Sequence, residues 1–536
     1  MPTFCLEAFL AKVLFINPVI RAEDAPRHVP YGIALLTAIC DRLGHQVQVF
    51  DANAWRQGDE VLAEVLQADD WEVVATGGIT TSYASIKKIV SFARQHAPKA
   101  LIVLGGGVLT SMPHDIMRFL PAVDLGVVGE GVVTFPELLR KVDERQNDWA
   151  NLKGIIWRDP SGTCKLSDPR PLLQDLDSLP TPGWEFFPLD IYFKNSSVLL
   201  SAEAMQAKRR LDINMSYGCS LVCRFCFHLG LTGEMRYIQD DKGNRDVAFT
   251  WDRQLRFHSP DYVVNLVKHA RERFGVDFIG MLDENLMTMN TATRGKWLSD
   301  ICRKWIEAGL QPSCVREGRP HDPASCTGVH WGGTSHAGLV NSEVLKLMHQ
   351  AGCSHLDYGL ESFSPRVLKN IGKGATAESN MRALKMTIEA GIRPIPNQIV
   401  GFPDEFFDSL IDSVKAWERA GIVAKPFFAT PYPGSEWYAT YKDRIIEQYD
   451  GDLEAFLLDL GDATTITAVI SENFNAVELL GLRELMMNHD IRRIQEYEKV
   501  WRRTHGEPKF PKFGRPYPPA AVIKPQSSGD STGSVL

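Results

Sequence analysis

Between residues 10 and 148, short apolar runs alternate with stretches whose apolar residues recur every three or four positions. KVLFINP (Lys12–Pro18), QVQVFDA, WEVVATGG, ALIVLGGG and LGVVGE (Leu125–Glu130) are continuous enough to be strands buried on both faces. YGIALLTAICDRLG (Tyr31–Gly44), SIKKIVSFARQHA and TFPELLRKV carry helical spacing, the first closing on a glycine stop. This alternation predicts a doubly wound, Rossmann-like parallel sheet whose ligands lie outside the carboxyl ends of its strands.

Residues 149–205 read as a connector. It holds a hairpin around the Asp-Pro-Ser-Gly of IIWRDPSGTCKL, then the proline- and aromatic-rich LPTPGWEFFPL. A second alternating series spans 206–438. Its candidate strands are Asp212–Ser216, Phe278–Leu282, Gly328–Gly333, His355–Glu361, Pro396–Gly401 and Lys425–Pro431. Six β/α units predict a partial (β/α)6 barrel with its chemistry at the strand C-termini. The irregular stretch 313–328 before the third strand reads as an insertion. Residues 439–505 form a small helical region, and the Pro-, Ser- and Gly-rich 506–536 is expected to be a disordered tail. The fold class is α/β throughout.

Composition narrows the partners. The chain has 536 residues, enough for several domains, and a formal charge of -8, which argues against nucleic acid. No apolar run is long enough to span a bilayer, and the apolar N-terminus lacks a basic leader, so neither a membrane span nor a signal peptide is expected. Ten cysteines without an export signal point to a reducing, cytoplasmic setting, where grouped thiols serve metals more often than disulfides.

The segment MSYGCSLVCRFCFHLG places Cys219, Cys223 and Cys226 in a C-x3-C-x2-C spacing just after a barrel strand. Three thiolates on one short loop suit a four-iron cubane and leave one iron open. A structural zinc site would require a fourth ligand, and this loop offers none.

With Phe225 before the last cysteine, this loop resembles that of the radical S-adenosylmethionine (SAM) superfamily. The resemblance implies a 4Fe-4S cluster whose open iron is chelated by the methionyl amine and carboxylate of SAM. It also implies reductive cleavage to a 5'-deoxyadenosyl radical. Further positions resemble the family's SAM contacts. Asp283 and Glu284 lie in Leu282–Asn285 at the end of the second strand. Glu361 and Ser362 lie in Gly359–Ser362 after the fourth. Ile399 and Gly401 lie in Ile399–Asp404 after the fifth. Thr430–Gly434 resembles the end of the sixth strand in cobalamin-type members, or is only a rigid turn.

The front domain resembles that of the cobalamin-binding members, which include methyltransferases and the anaerobic magnesium-protoporphyrin ester cyclase. The matching features are KVLFINP, PYGIALLTA, LGGGV and VVGEGVVTFPELL. Gly77, Gly78, Thr80, Thr81 and Ser82, then Gly105, Gly106 and Gly107, then Gly129, Glu130 and Gly131, follow three successive strands. They are expected to leave a shelf for the cobalamin macrocycle. There is no D-x-H-x-x-G, so no histidine of that kind ligates cobalt, and no G-x-G-x-x-G follows the first strand as a dinucleotide would require.

These resemblances imply a cobalamin-dependent radical enzyme that methylates an unactivated carbon of a small-molecule substrate, with flavodoxin or ferredoxin as electron donor. Oxidation or ring closure without methyl transfer is the alternative, and a non-catalytic cobalamin- or metal-responsive protein is the rival from another class. Phe227, His228, Trp331 and Tyr358 line the cavity or simply pack. Cys5, Cys40, Cys164, Cys302, Cys314, Cys326 and Cys353 are scattered. Cys314 and Cys326, with His321 and His330, match no zinc-finger spacing and are expected to form no metal site.

Overall fold

The computed structural model describes residues 10–195, 201–227, 235–239, 244–248, 254–513 and 522–523. The chain divides into two compact units. A front unit comprises Met1–Asn195, His228–Asp252 and Tyr517–Leu536, and a barrel unit comprises Ser196–Phe227 and Arg253–Pro516.

The front unit is built on a seven-stranded sheet, β1 (Lys12–Asn17), β2 (Gln46–Asp51), β3 (Val73–Gly77), β4 (Leu101–Gly105), β5 (Leu125–Val127), β6 (Ile155–Arg158) and β7 (Cys164–Leu166), in the order β2-β1-β3-β4-β5-β6-β7. The first five strands are parallel. Val13 to Asn17 are all buried, as expected for a strand covered on both sides. Tyr31–Arg42, Tyr83–His96 and Gly131–Asp143 are amphipathic helices of this unit. The switch point falls between β1 and β3.

The expected hairpin is present as β6 and β7, but it is not part of a free-standing connector. It pairs antiparallel with β5 and extends the front sheet. Isoleucines 155 and 156 are fully buried, so this segment closes the edge of the sheet. Short strands Arg236–Gln239, Arg245–Ala248 and Val522–Ile523 form a separate three-stranded sheet in the same unit. The last of these lies within the 506–536 tail expected to be disordered, most of which is outside the described residues.

The barrel unit contains six parallel strands in sequence order: Arg210–Ile213, Phe278–Met281, His330–Ser335, Cys353–Glu361, Arg393–Val400 and Phe427–Phe428. They open an incomplete barrel, with helices such as Pro260–Phe274, Lys296–Glu307 and Phe407–Ala420 between strands. Ser259 caps Pro260–Phe274 by accepting from the Tyr262 amide. Four helices, Glu436–Gln448, Leu453–Asp459, Ala476–Met487 and Ile491–His505, follow the sixth strand. Trp331 and Tyr358 belong to the core. The Trp331 indole donates to the Ala351 carbonyl at 3.1 Å, and the Tyr358 hydroxyl lies 2.8 Å from that of Thr387. Phe227 is half-buried, and His228 lies outside the described residues. Among the described residues no helix is long and apolar enough to cross a membrane.

Candidate functional site

The cysteine loop leaves the first barrel strand through Ser216–Tyr217, which pairs antiparallel with Arg256–Phe257. It is braced at both ends. On the entry side, Asp283 is buried, and its carboxylate accepts from the Ser216 hydroxyl and from the Met215 amide. Glu284 accepts from the Gly218 amide at 3.2 Å. Burial pushes the Asp283 carboxyl up to about 6, against the Ser216 hydrogen bond, and Glu284 up to about 7. Both carboxylates, expected at SAM, thus have partners in the base of the loop. Gly218 has φ +102°, and a Cβ there would come 2.4 Å from the Gln254 carbonyl oxygen, so glycine is required at this bend.

On the exit side, Arg224 forms a buried ion pair with Glu436 and donates from Nε to the Asn370 carbonyl at 2.9 Å. The Arg224 amide donates to the Ile371 carbonyl at 3.0 Å. Asn370 in turn donates to Asp404 at 2.6 Å, which ties the loop to the end of the fifth strand. The Phe225 ring packs 5.7 Å from that of Trp437.

Between these braces Cys219 is half-buried, Cys223 buried and Cys226 exposed. The Cys219 sulfur lies 3.9 Å from the Thr288 hydroxyl, which Asn285 orients through a 2.9 Å hydrogen bond. Burial raises the Cys223 thiol to about 11, and the Lys373 ammonium opposes that shift. A cationic iron centre held there would offset the cost of burying the thiolates, and three thiolates are a soft donor set suited to it.

Lys373 was not singled out by the sequence. Its ammonium donates to Glu361 at 2.7 Å and lies 5.7 Å above the Phe225 ring. Burial disfavours its charge, but Glu361 and then Cys223 hold it protonated well above the ordinary lysine range. His336, at the end of the third strand, accepts from the Gly338 amide at Nδ1, which leaves Nε2–H to donate to the Lys373 carbonyl at 3.0 Å. Burial and then Lys373 lower His336 to about 4, so it is neutral at physiological pH. Gly372 and Gly374, both with positive φ, flank the lysine and were the signal available in the sequence.

Glu361 is itself unusual. It is buried at 5% exposure yet has φ +60°, and the pairing of its strand with the fifth shifts register between Gly359 and Glu361. Asn380 holds this turn by donating to the carbonyls of Leu360 and Ser362 at 3.1 and 3.2 Å. A strained, over-determined backbone at a strand C-terminus is characteristic of functional sites. The Ser362 hydroxyl accepts from the Ser364 amide, so it already serves the turn.

Facing Glu361 in register on the fifth strand is Gln398, 1% exposed, whose amide oxygen and nitrogen both have no hydrogen-bond partner. A fully unpaired buried amide costs about 1–3 kcal/mol and calls for an explanation, which a polar ligand at these strand ends would supply. Ile399 beside it is half-buried. Gly401 has φ +96°, and its amide donates to the buried Glu405 at 2.5 Å. Thr430–Gly434 forms a tight turn, with the Tyr432 amide donating to the Thr430 carbonyl and the Tyr432 hydroxyl to that of Gly461.

In the front unit the glycines do two different things. A Cβ at Gly77 would come 2.5 Å from the Gly105 carbonyl oxygen, and one at Gly106, where φ is +84°, would come 2.7 Å from the backbone of Gly78. These residues let the ends of β3 and β4 touch; the Val108 amide bonds to the Gly78 carbonyl at 3.0 Å. They are therefore packing glycines, where an open shelf was expected. Gly105 by contrast faces open space. Thr80, Thr81 and Ser82 form a single 3-10 turn, and the buried Ser82 hydroxyl has no partner. Gly107 and Gly131 open helices. Glu130 precedes the second of these, and the Gly129 amide donates to Thr110. An open Gly105 and an unpartnered Ser82 at adjacent strand ends fit a ligand placed outside the carboxyl edge of this sheet.

Asn17, Asp51 and Tyr192 form a closed polar cluster that the sequence did not reveal. Asp51 accepts from Asn17 and from the Tyr192 hydroxyl, both at 2.7 Å. Elsewhere Cys40, Cys302 and Cys353 are buried and Cys164 is half-buried, while Cys5 lies outside the described residues. Cys314, His321, Cys326 and His330, whose spacing argued against a metal, are brought within 4.8 Å of one another.

Residues 213–416 match the Radical SAM superfamily, and residues 18–139 match the B12 binding domain. The chain is 26% identical over 433 residues to an uncharacterized methyltransferase of Pyrococcus horikoshii, covering 79% of this chain and 82% of that protein. It is 25% identical over 443 residues to the anaerobic magnesium-protoporphyrin IX monomethyl ester cyclase of Cereibacter sphaeroides, covering 81% of this chain and 64% of that one. Its fold is similar to that of TsrM from Kitasatospora setae, a radical SAM methyltransferase solved with cobalamin and a [4Fe-4S] cluster, at a TM-score of 0.60, 17% identity and coverage of 82% of this chain and 76% of that one. With a three-thiol loop at the barrel strand ends and a doubly wound sheet earlier in the sequence, the chain carries a B12 binding domain followed by a Radical SAM domain, the pairing of the cobalamin-binding radical SAM family.

Proposed function

We propose that this enzyme methylates an unactivated carbon of a small-molecule substrate, and that the cysteine loop with the Glu361–Lys373–Gln398 group is where SAM is held. When bound, the cluster and SAM supply a hydrogen-abstracting radical, and cobalamin supplies a methyl carrier. The chain's own residues do the rest. Cys219, Cys223 and Cys226 hold the iron. Asp283, Glu284, Arg224 and Glu436 fix the loop that carries them. Lys373 keeps a positive charge beside the thiolates and beside the expected place of the SAM carboxylate. Gln398 offers one donor and one acceptor to the polar end of the cosubstrate, and Phe225 and Ile399 offer apolar surface.

In this reading 10–148 together with the β6–β7 hairpin holds cobalamin near Ser82, Gly105 and Gly129–Gly131. Residues 206–438 hold the cluster, and 439–505 support the last strands. The Pyrococcus relative and the TsrM fold support methyl transfer; the Cereibacter relative supports ring closure as the second reading. A flavodoxin or ferredoxin in the cytoplasm is the proposed reductant.

The single observation that carries the proposal is the preorganised three-thiol loop beside a buried, charge-paired lysine. The test is anaerobic turnover of the reconstituted holoenzyme with methyl-labelled SAM and candidate substrates. Label in the product, with both 5'-deoxyadenosine and S-adenosylhomocysteine released, supports methylation. An unlabelled, oxidised or cyclised product with 5'-deoxyadenosine alone selects the second reading. Release of neither nucleoside product overturns both.

A further inference from the structure

We propose that Cys314, His321, Cys326 and His330 form a closed Cys2His2 site for a structural zinc ion, separate from the iron site. All four ligand atoms lie within 4.8 Å of one another. The Cys314 sulfur is 3.3 Å from His330 Nε2, 3.8 Å from His321 Nδ1 and 3.1 Å from the Cys326 sulfur. Cys326 is 3.8 Å from His330 Nε2. Zinc at about 2.3 Å from sulfur and about 2.0–2.1 Å from nitrogen gives tetrahedral edges of roughly 3.3–3.8 Å. Closing on zinc asks the sulfur pair to open from 3.1 Å to about 3.8 Å and the wider pairs, which reach at most 4.8 Å, to draw in by about 1 Å.

The ligands converge because the intervening chain is folded on itself. Cys314 sits on the short helix Ser313–Glu317, which ends at Gly318 in the left-handed region. The Ser313 amide donates to the Thr327 carbonyl at 2.8 Å and the Thr327 amide to the Ser313 hydroxyl at 3.0 Å, closing the loop at its neck. The Asp322 carboxylate accepts from the Ala324 amide and the Ser325 hydroxyl, which turns the chain toward Cys326. His330 is the first residue of the third strand, so the quartet lies at the N-terminal end of the barrel strands. The cysteine loop follows the opposite, C-terminal end.

Chemistry distinguishes the two sites. Two thiolates and two imidazoles in a tetrahedron suit zinc, and four protein ligands leave no position for substrate. The ion therefore staples a long irregular segment that lacks secondary structure of its own over most of its length. Cys314 and His330 are buried, while His321 and Cys326 are half-buried, so the ion enters from the loop side.

The test uses anaerobically purified holoenzyme. Elemental analysis is expected to find close to one zinc per chain in addition to the cluster iron. Zinc-edge absorption is expected to show two sulfur and two nitrogen neighbours at the distances above. Cys326→Ser and His321→Asn are expected to lower zinc content at least fivefold while iron and cobalamin content stay unchanged. Should either variant fail to fold, the wild-type absorption spectrum still decides. Zinc-free folded enzyme, an oxygen-dominated zinc shell, full zinc retention in both variants, or a Cys314–Cys326 disulfide after anaerobic alkylation would each overturn the proposal.

Discussion

The ion pair between Glu361 and Lys373 lies directly over Gly359: a Cβ on that glycine would sit 2.3 Å from the Glu361 carboxylate and 2.7 Å from the Lys373 ammonium. The glycine is therefore the clearance that lets two buried charges meet at the end of the fourth barrel strand.

Gly359→Ala is expected to push the pair apart and lower both stability and SAM affinity. Gly32→Ala, in the helix Tyr31–Arg42 with open space around the added carbon, is expected to be neutral or to stabilise by up to about 1 kcal/mol. Thermal midpoints of the two anaerobic holoenzymes, measured side by side, check the contrast.

Lys373→Met leaves Glu361 buried without a partner, a change that costs about 3–5 kcal/mol when a buried pair is broken from one side. The double variant Glu361→Gln with Lys373→Met is expected to recover much of that stability. Activity is expected to remain low in both, because the charge beside the thiolates is gone. Calorimetry and 5'-deoxyadenosine release separate the two effects.

Gln398→Leu should move stability and function in opposite directions. Removing a buried amide with neither atom satisfied is expected to stabilise the SAM-free protein by about 1–2 kcal/mol. SAM binding, measured by equilibrium dialysis under anaerobic conditions, is expected to weaken about tenfold or more. A variant that is less stable and binds SAM normally would show that Gln398 serves only packing.

Glu405 gives a pH dependence. Burial raises its carboxyl from 4.5 to about 8, opposed by the Gly401 hydrogen bond. Between those values the folded chain keeps a proton that the unfolded chain releases, so this group's contribution to stability falls as pH rises through that window and then levels. Glu405→Gln removes the effect. Its thermal midpoint is expected to gain on the wild type steadily from pH 5 to 8, with each unit worth at most about 1.4 kcal/mol, and the gap is expected to flatten above pH 8.

Cys223→Ala is expected to abolish cluster iron and turnover while cobalamin uptake by the front unit is retained. Iron analysis and the visible spectrum of the cobalamin-loaded variant check it.

Much of the architecture was legible because it rests on local periodicity: buried parallel strands are continuous apolar runs, and their helices repeat at helical spacing. The gathering of the three cysteines on one loop was legible because their spacing is local too. What escaped depends on distant partners. The β6–β7 hairpin looks like a connector until β5 is seen to need an edge partner. Arg224 looks like a surface charge until Glu436 buries beside it. Gly77 and Gly106 looked like room for a ligand, whereas each makes room for another backbone. The Cys314–His330 quartet obeys no short spacing rule because a loop, not a helix or knuckle, gathers it.

Asp283 and Glu284 at one end of the cysteine loop, and Arg224 at the other, hold it through protein groups alone. On the proposed function, the receptacle is expected to keep its shape when iron is lost to oxygen. Recovery after such damage is then expected to need reduced thiols, metal and sulfide, with no renewed search for the shape that receives them.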